Sequence, residues 1–284
     1  MNTAEGKNSG LNLDQDTVAG FGFEWEQFDQ SALTASERAE RFAQYFHIFP
    51  WEALPAQSEG FDLGCGSGRW AGCVAPRVGR LHCIDASGRA LAVAQKNLRA
   101  LSNCVFHEAS VEHIPLERDS MDFGYSLGVL HHVPDTAAGI RSCVSRLKKG
   151  APFLLYIYYA FDNRPVWFRL LWNMSDILRK GISRCPYPLR YVISQIIATV
   201  VYLPLAQIAH LGERVGLKVS AFPLSYYRNL SFYSMRTDAL DRFGTKIEKR
   251  FTSQQIRRMM AEAGLERIRL SEGEPFWCAV GFRK

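Results

Sequence analysis

The run Asp62-Leu-Gly64-Cys65-Gly66-Ser-Gly68 sets an acid and three alternating glycines at the end of a short apolar stretch. Glycine at such a turn permits left-handed backbone. It also lets peptide N–H groups approach a ligand that a Cβ would hold off. A second apolar stretch, Leu81-His-Cys-Ile84, ends at Asp85. A carboxylate at a strand tip accepts hydrogen bonds from both ribose hydroxyls, so the two features together read as a nucleoside site. Two chemistries share that reading, because Gly66-x-Gly68-x-x-Ala71 also passes a loose dinucleotide fingerprint. Loop glycines with a purely structural task are the third reading.

These residues need strands to carry them, and the pattern supplies strands. Gly60–Leu63, Leu81–Ile84, Val105-Phe106, Met121–Leu127 and Phe153–Tyr159 are apolar runs. Between them lie helical faces, Leu91/Ala94/Leu98/Leu101 and Ala137/Ile140/Val144/Leu147. Such alternation predicts a doubly wound α/β sheet, Rossmann-like and mostly parallel. A capping pattern at Thr34-Ala-Ser-Glu37 starts an earlier helix bearing Phe42, Tyr45, Phe46 and Phe49, stopped by Pro50. After an irregular stretch the rhythm resumes with Ile256, Met259, Met260 and Ala263, then two strand-like runs at 265–270 and 276–282. The expected organisation is a flexible tail over 1–20, a helical cover over 21–56 and a core over 57–160. A mainly helical insertion follows over 161–250, and 251–284 closes the core.

The motifs in order resemble class I S-adenosylmethionine (SAM)-dependent methyltransferases, of the type acting on small molecules. The resemblance runs from the acidic-x-Gly-x-Gly-x-Gly signature at Asp62–Gly68 through Ile84-Asp85, Ile114-Pro115 and Asp122-Phe123. It continues with Ser126-Leu-Gly-Val-Leu-His-His-Val-Pro134 and Leu147-Lys-Lys-Gly150. It covers about residues 60–160, and the closing helix and hairpin fit the same family. It implies a seven-stranded sheet with an antiparallel last strand, and SAM as cofactor. It further implies that Asp62 helps hold the amino acid end of SAM, that Gly64, Cys65, Gly66 and Gly68 form its cradle, and that Asp85 takes the ribose with Ala86 beside the adenine. Leu127 and Gly128 complete the site at the fourth strand tip. Ser110 stands where the family usually has an acid near the adenine amine, and the Val111 N–H would read the ring. Lys149 and Ala151 also depart from the family's usual turn. The segment Phe21-Gly-Phe-Glu-Trp25-Glu-Gln-Phe28 resembles one that covers the SAM pocket in methyltransferases of sugars and natural products, which brings Trp25 into the cofactor site.

Methyl transfer is an in-line displacement, so alignment is the main requirement, with a base where the acceptor must lose a proton. His131 and His132 are the candidate bases, or else a turn element. Tyr156, Tyr158 and Tyr159 are the candidate acceptor-pocket residues. No metal site is expected. Base methylation of nucleic acid is disfavoured, since neither an Asn/Asp-Pro-Pro-aromatic turn nor a Pro-Cys nucleophile follows the fourth strand. The expected activity is methylation of a small or lipid-linked acceptor, at oxygen in preference to nitrogen or carbon. A nicotinamide oxidoreductase and a silent SAM-binding regulatory subunit are the competing classes.

Charge divides the chain. Residues 1–160 hold 14 Lys/Arg against 18 Asp/Glu, whereas residues 161–284 hold 20 against 10. The second half therefore favours an anionic acceptor or partner. Within it, 191–211 contains no Asp, Glu, Lys or Arg and is long enough to cross a bilayer. Ser194, Gln195, Thr199, Gln207, His210 and Pro204 argue instead for a helical lid over the acceptor pocket or a surface docked on anionic lipid. Seven cysteines without CxxC spacing, and no signal-peptide pattern at the start, predict a cytoplasmic protein, peripheral at the inner membrane face if it docks.

Overall fold

A computed structural model describes residues 12–284. The described chain divides into two compact units, one of 12–30, 39–160 and 247–284, the other of 31–38 and 161–246.

The first unit is built on one sheet. Its strands are β1 (Glu59–Leu63), β2 (Arg80–Asp85), β3 (Cys104–Glu108), β4 (Phe123–Leu127), β5 (Pro152–Tyr156), β6 (Leu265–Leu270) and β7 (Cys278–Arg283). They lie in the order β3-β2-β1-β4-β5-β7-β6. β1 to β5 pair in parallel, while β7 runs antiparallel to both β5 and β6. The seven strands and the antiparallel last one agree with expectation. β7 begins at Cys278 rather than Phe276, because the hairpin closes where the Ser271 N–H donates to the Cys278 carbonyl and the Cys278 N–H to the Ser271 hydroxyl. Strand order reverses between β1 and β4, the place where open α/β sheets bind ligands beyond their carboxyl ends.

Helix α1 (Gln15–Gln27) precedes the sheet, and α2 (Ala35–Phe46) starts in the second unit and continues into the first. α1 begins inside the stretch expected to be a flexible tail, and the correction has a local cause. Asp14 caps it, its carboxylate accepting from the Thr17 N–H at 2.8 Å. The rest of that expected tail, residues 1–11, lies outside the described residues. Thr34 caps α2, accepting from the Glu37 N–H at 3.1 Å. Short α3 (Ala71–Val74), then α4 (Gly88–Asn97) and α5 (Thr136–Val144), connect the parallel strands. Alternate strand residues feed two cores. Phe46, Trp70, Leu81, Cys83 and Tyr125 pack on one face of the sheet. Phe61, Ile84, Ile140, Phe153 and Leu155 pack on the other.

The second unit is helical, as expected. α6 (Val166–Ile182) is followed by α7 (Tyr187–Ile197), a π turn (Ala198–Tyr202) and α8 (Leu203–Arg214), which run on as one helix. α9 (Phe232–Gly244) completes it, its Met235, Ala239 and Phe243 packing against Ala198, Tyr202 and Ala206. α10 (Ser253–Glu262), started by a full capping box at Thr252 and Gln255, belongs to the first unit. The unit boundary thus falls at Lys246, four residues before the end of the expected insertion. All seven cysteines are free thiols.

Candidate active site

The glycine run leaves β1 as a tight loop. Gly64 and Cys65 donate their N–H groups to the Ile84 carbonyl at 2.7 and 3.0 Å, which fixes the loop beside the tip of β2. Gly64, Gly66 and Gly68 have φ of 76°, 53° and 76°, left-handed values that favour glycine at each position. The Gly66 N–H donates to Asp85 Oδ2 and the Ser87 N–H to Asp85 Oδ1, both at 2.9 Å. Asp85 is thereby aimed, and each oxygen keeps a second lone pair for a ligand hydroxyl. Burial raises its pKa, opposed by these backbone N–H groups. Ala86 follows, half-buried.

Trp25 reaches the same loop. A Cβ on Gly66 would lie 2.8 Å from the Trp25 indole nitrogen, so the ring rests directly on the glycine. An ion pair from Glu26 to Arg89 ties α1 to α4. Two residues that sequence reading did not single out hold this corner. Asn97 donates to the Ser67 and Asp29 carbonyls at 2.9 and 2.8 Å, and the Arg69 guanidinium sits 4.3 Å from the Trp70 ring centroid and 5.9 Å from that of Trp25. Neither has a spacing signature, because each acts across the fold.

Asp62 is 1% exposed, and its Oδ2 has no hydrogen-bond partner among the described residues. Burial pushes its carboxyl up to about 8, opposed by the neighbouring Tyr125 hydroxyl, with the Asp85 carboxylate adding to the rise. A buried acid with an unused oxygen beside a glycine cradle fits the cationic amino end of SAM, which would restore both charge and partner. Leu127 ends β4, buried, and Gly128 follows with φ of 79° and open space where a Cβ would project. Ser110 Oγ lies 3.4 Å from His113 Nδ1, and Val111 sends its side chain into the core, leaving its backbone as the part that can meet a ligand.

The two histidines differ. His131 is 0% exposed, and neither ring nitrogen has a hydrogen-bond partner among the described residues. Its ring lies 3.8 Å, centroid to centroid, from both His132 and Tyr158. Burial, then the nearby His132 and Arg250, holds its pKa well below the usual imidazole value, so the ring is neutral. His132 Nδ1 lies 2.6 Å from the Ile247 carbonyl. A carbonyl only accepts, so Nδ1 carries the hydrogen and Nε2 carries the basic lone pair of the neutral ring.

Of the tyrosines, Tyr158 stacks on His131, and Tyr156 stands 6.1 Å from Tyr158 and edge-on to Tyr45 at 5.0 Å. Tyr159 is separated from them, packing near Phe276 and Trp277 at 5.6 and 6.4 Å. Tyr159 lies past the end of β5, held by a backbone bridge to Phe251. Glu248 and Arg250 join this cluster unforeseen. They pair at 2.9 Å with side chains 1% and 15% exposed, and the Arg250 guanidinium lies 4.9 Å from the Tyr158 ring centroid. Read along the chain they belong to the tail of the insertion; a backbone bridge between Tyr159 and Phe251 brings them to β5. Among the described residues, no three His, Cys, Asp or Glu side chains gather as metal ligands.

A family model described as a methyltransferase domain matches residues 61–155. The chain is 26% identical over 237 residues to a ubiquinone biosynthesis O-methyltransferase of Nitrosomonas europaea, spanning 80% of this chain and 95% of that one. It is 33% identical over 108 residues to the protein of the same name from Albidiferax ferrireducens, spanning 36% of this chain and 40% of that one. Among solved structures, a methyltransferase–activator complex from Haloferax volcanii matches with a TM-score of 0.52 at 12% identity, over 93% of this chain and 96% of that one. A Bacillus halodurans protein matches with a TM-score of 0.51 at 16% identity, over 82% and 72% of the two chains. At these identities the structural likeness speaks to the fold.

Proposed function

We propose that this chain, which matches a methyltransferase-domain family model over residues 61–155 and resembles class I SAM-dependent methyltransferases, methylates a hydroxyl oxygen of a small, lipid-linked acceptor. The cofactor supplies an electrophilic methyl group on a sulfonium. The chain's own residues bind, align and accept the proton. Asp62 and the Gly64–Gly68 loop hold the amino acid end, Asp85 the ribose, Ala86, Ser110 and Val111 the adenine, and Trp25 covers the loop. Leu127 and Gly128 leave the open ground beside which the acceptor oxygen is presented.

The observation that carries the choice of oxygen is the oriented imidazole of His132. Methylating a hydroxyl requires a proton to leave, and an imidazole fixed at Nδ1 by a carbonyl leaves Nε2, a buried atom that the bound acceptor would have to reach, as the acceptor. Neutral His131 and the ring of Tyr158, braced by the Glu248–Arg250 pair, hold the neighbouring wall. Relatives named for ubiquinone biosynthesis support a lipid-linked acceptor. The helical unit of residues 161–246 selects the acceptor, with the enzyme working in the cytoplasm at the membrane surface. The test is methyl transfer from radiolabelled SAM to a polyprenylated phenol, its amine counterpart and a short-chain phenol. Labelled ether from the phenols supports the reading; transfer to the amine alone, or to none, rejects it.

A further inference from the structure

Every exposed Val, Leu, Ile, Met, Phe or Trp among the described residues lies between Val166 and Phe232, inside the second unit. Among its described residues the first unit exposes none. Scattered surface apolar residues are ordinary, but a concentration in one unit marks a surface meant to be covered.

The exposed residues form stripes. On α6, Leu170, Met174 and Ile177 are 59%, 67% and 72% exposed and recur at helical spacing. On the continuous helix Tyr187–Arg214 a second stripe runs from Leu189 to Leu211, with Ile196, Val200 and Leu211 54%, 62% and 63% exposed. The opposite faces are occupied within the unit. Arg179 is buried and donates to the Thr245 carbonyl at 2.9 Å, and Arg190 is buried and donates to the Gly244 carbonyl at 3.0 Å, both at the end of α9. Ser194, Ala198, Tyr202 and Ala206 are buried along the same helix, the last three against α9. Each helix therefore has one face committed to its own unit and one apolar face outside.

That two-faced character decides how the long helix meets a bilayer. Its mean hydropathy of 1.8 over its most apolar window and its 28 residues satisfy the requirements of a span. A span would need to shed α9 and carry Arg190 and Ser194 into hydrocarbon, a costly transfer. A helix lying in the interface keeps them on its protein-facing side. Charge identifies the lipid. Exposed Arg169, Arg184, Arg214 and Lys218 flank the stripes, together with Lys180, which pairs with Asp176 at 2.9 Å; against them stand exposed Asp162 and Glu213 over 161–220, and Glu213 is paired with Arg228.

We propose that the second unit is a membrane-docking module, with α6 and the Tyr187–Arg214 helix lying in the interface of a bilayer rich in anionic phospholipid. This goes beyond the acceptor assignment and does not depend on it. Flotation of the full-length protein with phosphatidylcholine vesicles, with and without phosphatidylglycerol, tests it. Binding is expected only with phosphatidylglycerol and should weaken with salt. It should drop by about tenfold or more in the double variant Ile177→Asp/Val200→Asp. Both positions are exposed, so an unchanged melting temperature and SAM affinity will show that the variant is folded. Lack of binding to phosphatidylglycerol vesicles at low salt overturns the proposal, as does binding that the double variant leaves intact. Resistance of the natural protein to alkaline extraction from cell membranes would replace docking with a span. A stable dimer abolished by the same variant, with no vesicle binding, would assign the stripes to a second copy.

Discussion

Asp62 joins burial and charge with a proposed hold on the cofactor, so its protonation should govern cofactor affinity. Its pKa of about 8 leaves it mostly protonated in the ligand-free protein at neutral pH. Holding a cation favours the ionised form, so binding below pH 8 must release a proton. SAM affinity should therefore rise with pH and level off near the pKa of the free protein. The cofactor's own amine titrates nearby, and calorimetry in buffers of different ionisation enthalpy separates the two. Asp62→Asn should bind more weakly and lose the extra proton release. An unchanged proton count would remove Asp62 from the cofactor site. The same shift bears on stability with the opposite sign. A carboxyl whose pKa is raised from 3.8 to about 8 by folding makes the ligand-free fold less stable as pH rises through that range. His132 gives the matching test on the acceptor side. His132→Ala should lower kcat by roughly 10²–10⁴-fold with little change in SAM affinity, as expected for loss of a general base. A variant of full activity would make the pair a turn element.

Helix α1 shows how an element can serve the site without contributing to the sheet. Trp25 rests on Gly66, while Asp14 and the Glu26–Arg89 pair fix the helix at its two ends. Exposed ion pairs contribute little, so Arg89→Ala should change SAM affinity by less than about fivefold. Trp25→Ala removes the aromatic cover itself. It should cost about 1 kcal/mol or more of binding, read as a several-fold rise in Kd by calorimetry. Equal effects of the two substitutions would mean that Trp25 only packs. Elements of this kind were unevenly legible in the sequence. The strands declared themselves as apolar runs because the central ones are buried on both faces, and α4, α5 and α10 through their period, because each helix buries one regular face. The start of α1 did not, since Asn, Asp and Gln around residue 14 read as a polar tail until Asp14 is seen capping. The Asp62–Gly68 loop and Asp85 were legible because one short segment carries each. The Glu248–Arg250 pair and the separation of Tyr159 from Tyr158 were not, for both depend on a bridge between Tyr159 and Phe251 that no local pattern announces.

The same bridge bears on how the whole molecule divides its labour. The chain leaves the first unit after Ala160 and re-enters at Ile247, and there Phe251 N–H donates to the Tyr158 carbonyl and Ala160 N–H to the Phe251 carbonyl, both at 2.9 Å. An inserted unit with adjacent entry and exit can be removed with a short linker at small entropic cost. The residues proposed to hold the cofactor, Asp62–Gly68, Asp85 and Trp25, all lie in the first unit, whose sheet pairs without the insertion. Only the start of α2 should suffer, since Glu37 would lose its hydrogen bond from the Ser234 hydroxyl at 2.6 Å. A chain with residues 161–246 replaced by a Gly/Ser linker should thus fold, bind SAM within a few-fold of the full protein and fail to methylate the lipid-linked phenol. Loss of SAM binding in a folded product would place part of the cofactor site in the insertion. Retained turnover on the short-chain phenol, with the lipid-linked one lost, would divide the roles further: chemistry in the first unit, delivery of a membrane-borne acceptor by the second.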